Sequence, residues 1–292
     1  GLPAILPALE WTEVLVRWGG TIGELRRLEH PAELGRWLGG LVWATPLLGL
    51  VGWREKGAAR VWLGLMLGLV LLSVALTWWQ IRWGPYLTLV FVFASPWILE
   101  VFRRGARGEW VVTGVGLLAL WPVVAGWEEK WNPESSVLVE RHMDRSERIN
   151  ARLAAERMRS PEVQPFLAPW WLSPAMAYWS GQPAVAGSGH EGIAGILDSA
   201  RFFLATDWSE AREILDRRGV RMVVAGDQAR SAVNSAEILG RPIPPKPLCE
   251  RLWDALPPTS LRLDGELNVT TFRLLRVLPR EGGAEGGRGA GE

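Results

Sequence analysis

Residues 61–79 read VWLGLMLGLVLLSVALTWW, nineteen in succession without a charge. Folded as a helix at about 1.5 Å per residue, such a run nearly matches the roughly 30 Å hydrocarbon core of a bilayer. Three further runs carry no charge: 37–53, 83–99 and 110–127. Helices apolar all round are rare in soluble proteins, whose surface helices keep a wet face, so four in succession argue for a membrane bundle. Tryptophans cluster near the ends of these runs, where membrane interfaces favour indole, among them Trp37, Trp53, Trp62, Trp78, Trp79, Trp83, Trp110 and Trp127. Pro46, Pro96 and Pro122 lie inside and are expected to kink the helices without ending them, because neighbouring helices satisfy the freed carbonyls. The expected transmembrane helices are 37–53, 61–79, 83–102 and 110–127.

The loops set the orientation. Arg54, Lys56 and Arg60 follow the first run, and Arg103, Arg104 and Arg107 follow the third, so both connections are expected on the cytoplasmic side. The turn between the second and third runs carries only Arg82. With four spans, residues 1–36 and 128–292 then both lie outside the plasma (inner) membrane. The first of these segments is expected to be an outer loop.

The whole chain has 292 residues and a mean hydropathy of only +0.08, an average over an apolar first half and a polar second half. Its 32 Lys and Arg against 31 Asp and Glu give no basis for nucleic-acid binding. The single cysteine, Cys249, has no partner within the chain, so packing must hold the fold. Gly1 begins no recognisable signal peptide and no initiator Met is present; the chain is expected to be the C-terminal portion of something longer.

After Trp131-Asn132-Pro133 the character changes. Residues 135–158 read as a charged amphipathic helix with Val139, Met143, Ile149 and Leu153 as its apolar positions. Strands are expected at 163–168, 184–186, 220–225 and 270–278, with helices at 190–205, 208–218 and 248–255. Asp207 with Glu210 three residues on marks the start of the 208–218 helix. Strands alternating with helices argue for a small, partly parallel α/β domain over 128–280. Residues 281–292, glycine and charge, are expected to be a disordered tail.

Three constellations are candidates for chemistry. The first is Thr21-Ile22-Gly23-Glu24, whose carboxylate could hold an amide or a cation or simply belong to a solvated juxtamembrane face. The second is Gln80-Ile81-Arg82-Trp83 in the tight outer turn. The planar fork of Arg82 suits phosphate oxygens in pairs, and snorkelling to lipid headgroups accounts for it equally. The third is Trp170-Trp171-Leu172-Ser173-Pro174, followed by Gly187-Ser188-Gly189-His190-Glu191. Paired indoles ahead of a glycine turn and a polar cluster suggest a pocket rim, with two core tryptophans before a loop as the plainer account. His30, His142 and His190 have no zinc-site spacing, and neither a phosphate-binding glycine loop nor a Gly-x-Ser-x-Gly elbow is present.

In order and spacing these pieces resemble the C-terminal half of the catalytic subunit of oligosaccharyltransferase, in the GT-C class of membrane glycosyltransferases. Thr21-Ile22-Gly23-Glu24 matches the family's Thr-Ile-x-Glu, Arg82-Trp83 its outer arginine and aromatic, and Trp170-Trp171 the start of its Trp-Trp-Asp-Tyr-Gly. Gly219-Val220-x-Met222-Val223-Val224 resembles its hydrophobic strand after a helix. The resemblance implies a four-helix C-terminal part of a GT-C bundle followed by an extracytoplasmic α/β domain. It implies that Glu24 is catalytic and holds the acceptor, that Arg82 binds a polyprenyl-linked phosphate or pyrophosphate donor, and that Trp170 and Trp171 contact a polypeptide or glycan acceptor; His190, on the same expected pocket rim, is an acceptor-binding candidate from its place after the glycine turn. It also implies a divalent metal, Mg or Mn, with its main ligands upstream of Gly1, which would leave this piece inactive alone. Where the family has Asp-Tyr-Gly, this chain has Leu172-Ser173-Pro174. Leucine accepts no hydrogen bond, so the resemblance points to an acceptor other than the asparagine sequon. A non-catalytic, membrane-anchored module that binds a glycan or a partner is the alternative from another class. A transporter is disfavoured, because no ionisable residue sits in mid-span.

Overall fold

The computed structural model describes residues 5–103, 108–254, 258, 260–263 and 271–279. In chain order the elements are α1 (Ile5–Gly20), α2 (Ala32–Leu38), α3 (Pro46–Arg54), α4 (Ala58–Trp79), α5 (Gly84–Arg103), α6 (Gly108–Trp131), α7 (Ser135–Arg157), β1 (Phe166–Leu167), α8 (Ser173–Ser180), α9 (Ile193–Leu204), α10 (Trp208–Arg217), β2 (Met222–Ala225), α11 (Gln228–Leu239), α12 (Leu248–Arg251), β3 (Leu261–Leu263) and β4 (Arg273–Val277). The protein is mostly helical with one small mixed sheet. It divides into two compact units, Ile22–Val139 and a second built from Gly1–Thr21 together with Glu140–Glu292. The expected tail at 281–292 and part of the Arg103–Arg107 loop lie outside the described residues.

The unit Ile22–Val139 is helical. Leu48, Leu63, Val70, Leu87, Ala94 and Ile98 form its fully buried centre, drawn from α3, α4 and α5. Among the described residues two helices are long and apolar enough to cross a membrane, Ala58–Trp79 and Gly108–Glu128. None of the α6 window is buried, and Trp110, Leu117, Leu118 and Trp121 are each more than 60% exposed, so its outer surface is hydrocarbon-like throughout. Pro96 and Pro122 sit within α5 and α6, which continue past them as expected.

The run 37–53 departs from expectation, for it is not one helix. α2 ends at Leu38, a 3-10 segment covers Gly40–Ala44, and α3 begins at Pro46. Gly39 has φ +77, and any Cβ there would strike the carbonyl of Ala119 on α6. Pro46 lacks the N–H that a helix interior needs and stands instead in the first turn of α3. α3 has nine residues, about 13 Å of rise, less than half a hydrocarbon core. The expectation of four like helices is corrected at this first one, and the break follows from the glycine pair Gly39-Gly40 and the proline.

In the second unit the sheet order is β1-β2-β4-β3, with β1 parallel to β2 and the remaining pairs antiparallel. The expected strand at 184–186 is only an isolated bridge between Ala184 and Phe166. Alternation divides the strands between two cores. Leu167, Val223, Ala225 and Leu275 face Phe202, Phe203, Leu215 and Leu252 of the α9–α12 layer. Phe166, Met222, Val224 and Leu274 face Ala151, Ala154, Ala155 and Met176 on α7 and α8. The period of two places consecutive residues on opposite faces, so an all-apolar strand is buried on both sides.

Within the segment 1–36 a helix forms that the sequence did not suggest: α1 packs on α11, Arg17 reaches the Leu239 carbonyl at 3.4 Å, and Trp18 is buried. A cation at the last carbonyls of a helix is favourably placed against the helix dipole. On α7, Val139, Met143, Ile149 and Leu153 are exposed, and the buried face is Ala151, Ala154 and Ala155. Small side chains let this helix approach the sheet closely, leaving the large ones outside.

Candidate functional site

Glu24 and Arg82 lie on two 3-10 turns of the helical unit, Gly23–Leu25 and Ile81–Trp83. The strands of chain around them are tied together: the Ile81 N–H donates to the Arg26 carbonyl at 3.1 Å, and the Leu28 N–H donates to the Trp78 carbonyl at 3.2 Å. Both charged side chains are exposed. The Arg82 guanidinium stands 5.5 Å from the Trp83 ring, which in turn tilts against Tyr86 at 5.5 Å. On either side of Arg82 a buried polar atom has no hydrogen-bond partner among the described residues, Gln80 Oε1 and Trp83 Nε1. Leaving such atoms unpaired costs about 1–3 kcal/mol each, which a polar ligand would offset.

The Glu24 turn is braced by Arg26, which bonds Glu33 at 3.0 Å and lies 3.8 Å from Glu29. Partial burial pushes the Glu33 carboxyl up, but hydrogen bonds from Arg26 and from the His30 and Glu29 N–H groups, with the Arg26 charge, outweigh it and hold the group below its ordinary value.

In the second unit, parallel β1 and β2 bring their carboxyl ends to one edge of the sheet, the usual location of ligand sites in α/β folds. Trp170 and Trp171 follow β1; Gly226 and Asp227 follow β2. The turn after β1 is fixed from below. Ser199 donates to the Ala168 carbonyl at 2.9 Å, and Ser173 lies 3.2 and 3.0 Å from the Ala168 and Pro169 carbonyls. Ser173 is fully buried and Leu172 joins the core around Met176 and Phe272. At the motif's point of departure from the family, the replacement residues serve packing.

The two indoles meet edge to face at 6.3 Å and point to different surroundings. Trp170 packs against Trp18 of α1 at 5.8 Å, and the Nε1 atoms of both are buried without a partner among the described residues. Trp171 carries the Arg230 guanidinium 4.7 Å above its ring, and Arg230 lies 3.9 Å from Glu147 of α7. His190 opens a 3-10 turn over His190–Gly192; its side chain lies outside the described residues.

Trp171, Arg230 and Glu147 border a cleft of about 410 Å³ that also meets Trp179 and Leu172. A second cleft of about 630 Å³ shares Asp144, Glu147 and Arg230 with it and is floored by Met143, Trp253 and Phe272. Asp227 caps α11 by accepting from the Arg230 N–H at 3.0 Å, which fixes the helix start beneath the cleft. Glu140, Asp144 and Glu147 bring three carboxylates to the larger cleft beside the Trp253 and Phe272 rings.

Sequence reasoning singled out Trp171 and missed Arg230, Glu147 and Trp253. The one available signal was Asp227-x-x-Arg230 opening a helix directly after a buried strand. Among the described residues no group of three or more His, Cys, Asp or Glu could hold a metal ion.

No protein-family model matches the chain, and no curated protein matches it. Among solved structures it is similar to the C-terminal globular domain of an oligosaccharyltransferase from Archaeoglobus fulgidus, at 20% identity with a TM-score of 0.33, over 42% of this chain and 91% of that one.

Proposed function

We propose that the intact protein is a membrane glycosyltransferase of the GT-C class. It transfers a sugar or glycan from a polyprenyl-phosphate or -pyrophosphate donor to a polypeptide or glycan acceptor at the extracytoplasmic face of the plasma (inner) membrane. The observation that carries this reading is the pairing of the Glu24 and Arg82 turns by two backbone hydrogen bonds, because acceptor and donor must meet at one place. The order of the motifs along the chain and the long apolar helices α4 and α6 support it.

In this reading Glu24 accepts a hydrogen bond from the acceptor group and holds it against the anomeric carbon. Arg82 pairs with phosphoryl oxygens and, with the Trp83 N–H, stabilises the charge that grows on the departing phosphate. Trp171 and Arg230 present the acceptor chain along the cleft. The Mg or Mn ion that the resemblance implies does not fit the described residues by themselves, so no step is derived through it.

Reconstituted with a labelled polyprenyl-pyrophosphate glycan, the intact protein is expected to lose at least about tenfold of its transfer rate in each of Glu24→Gln and Arg82→Ala, roughly 1.4 kcal/mol of barrier. Arg82→Lys keeps the charge without the fork and should recover part of it. Unchanged transfer in both removal variants would overturn these roles. A protein that binds glycan at the cleft yet transfers nothing would be the anchored binding module instead.

A further inference from the structure

The exposed apolar residues of α7 are not scattered. At about 100° per residue, Leu138, Ile149, Leu153, Val139 and Met143 fall in that angular order within roughly 140° of the helix circumference. All five are between 43% and 68% exposed. Arg141, Arg145 and Arg148 lie within about 80° along the Leu138 edge of this stripe. The carboxylates Glu140, Asp144 and Glu147 sit on the other side and border the clefts. Glu140, Asp144 and Glu147 lie toward the clefts together with Arg148, Arg152 and Met143, while Leu138, Val139, Ile149 and Leu153 share the opposite arc with the uncharged His142, Ser146 and Asn150.

Position in the chain says what covers that stripe. Only Asn132, Pro133 and Glu134 separate α7 from α6, and at about 3.8 Å per Cα step Ser135 lies within about 15 Å of Trp131. Trp127 and Trp131 at the end of α6 stand 5.9 Å apart with their rings tilted and both exposed, the placement expected at a headgroup layer. A helix with an apolar arc bordered by arginines, so close to a membrane boundary, matches a bilayer interface: the arc enters the acyl boundary and the guanidiniums meet lipid phosphate.

We propose that α7 is an interfacial helix that lies on an anionic bilayer surface through Leu138, Val139, Ile149 and Leu153, with Arg145 on lipid phosphate. This rests on the reading of α6 as a membrane helix. The occupant is lipid; a second protein is the competing outcome.

The test uses the full chain in phosphatidylglycerol-containing vesicles, spin-labelled at Ile149→Cys or Leu153→Cys. Cys249 is buried and stays silent. Leu117→Cys on α6 reports membrane insertion, and Glu213→Cys, whose side chain is 76% exposed, reports water. Both stripe labels are expected to collide severalfold more with lipid-dissolved oxygen, relative to an aqueous nickel chelate, than the Glu213 label does. Arg145→Glu should lower that ratio in phosphatidylglycerol and not in phosphatidylcholine. Stripe labels that behave like the Glu213 label while the Leu117 label is in lipid would overturn the proposal and leave the membrane reading intact. Labels shielded from both reagents would overturn it in favour of a protein partner, and a wet Leu117 label would remove the membrane reading itself. All of these positions are on the surface, and circular dichroism checks that each variant folds.

Discussion

Gly195→Ala is expected to destabilise the α/β unit by about 3 kcal/mol, although on an exposed helix the same exchange would stabilise by nearly 1 kcal/mol. Gly195 is the third residue of α9, where a Cβ would overlap the carbonyl of Val185 and press on the Ala186 Cα. Those atoms are backbone and cannot turn aside. α9 must therefore retreat from the 185–186 segment, and with it move Phe202 and Phe203, both fully buried against the sheet. At about 2–4 °C per kcal/mol for a unit of this size, the melting temperature should fall by roughly 6–12 °C. An unchanged melting curve would mean that the helix and the loop are not in contact.

The second large effect concerns Cys249. Burial, and then the charge of Glu250, push its thiol from an ordinary 9.0 up to about 12. Less of the native thiol is ionised at pH 8 than of an ordinary one, and it is buried, so maleimide should label the native protein at least about tenfold more slowly than the unfolded chain. The same shift sets a pH dependence. Below pH 9.0 the thiol is protonated in both states; from there to about 12 the unfolded chain releases its proton and the folded one does not. Stability attributable to this group is therefore full below pH 9.0 and declines as pH rises toward 12. Fast labelling of the native protein, or a melting temperature that rises across that window, would contradict the burial of α12 under the sheet.

Much of this architecture was visible in the residues, and what was not has identifiable causes. α4, α5 and α6 could be read because their runs are long and uninterrupted, and α10 because Asp207 accepts from the Ser209 N–H at 3.0 Å as a cap should. Glu210, the other half of the expected capping box, has no part in that bond. α11 was missed: its buried residues are Ser231, Ala232, Ser235, Ala236 and Ile238, small groups that leave little apolar periodicity. On α7 the stripe of large residues suggested a core face, yet alanines pack and the large residues stay outside, a choice made by the sheet and not by the helix. For the candidate site, Glu24, Arg82 and the indole pair stood out as types, whereas the cleft did not. Glu147, Trp171, Arg230 and Trp253 come from four separate segments, and only the strand order places them on one edge.

The helix Ile5–Gly20 and its partner Gln228–Leu239 belong to one unit, with the whole of Ile22–Val139 placed between them in the chain. During synthesis at about 5–20 residues per second, the first helix leaves the ribosome roughly 10–40 s before the partner that shelters it. Until Trp170 and then the Gln228–Leu239 helix emerge, Trp18 has nothing to pack on, while the apolar helices of the intervening segment are already leaving the ribosome. Ribosomes stalled before residue 228 should hold the Ile5–Gly20 helix open to protease or to a chaperone, and synthesis through residue 239 should close it.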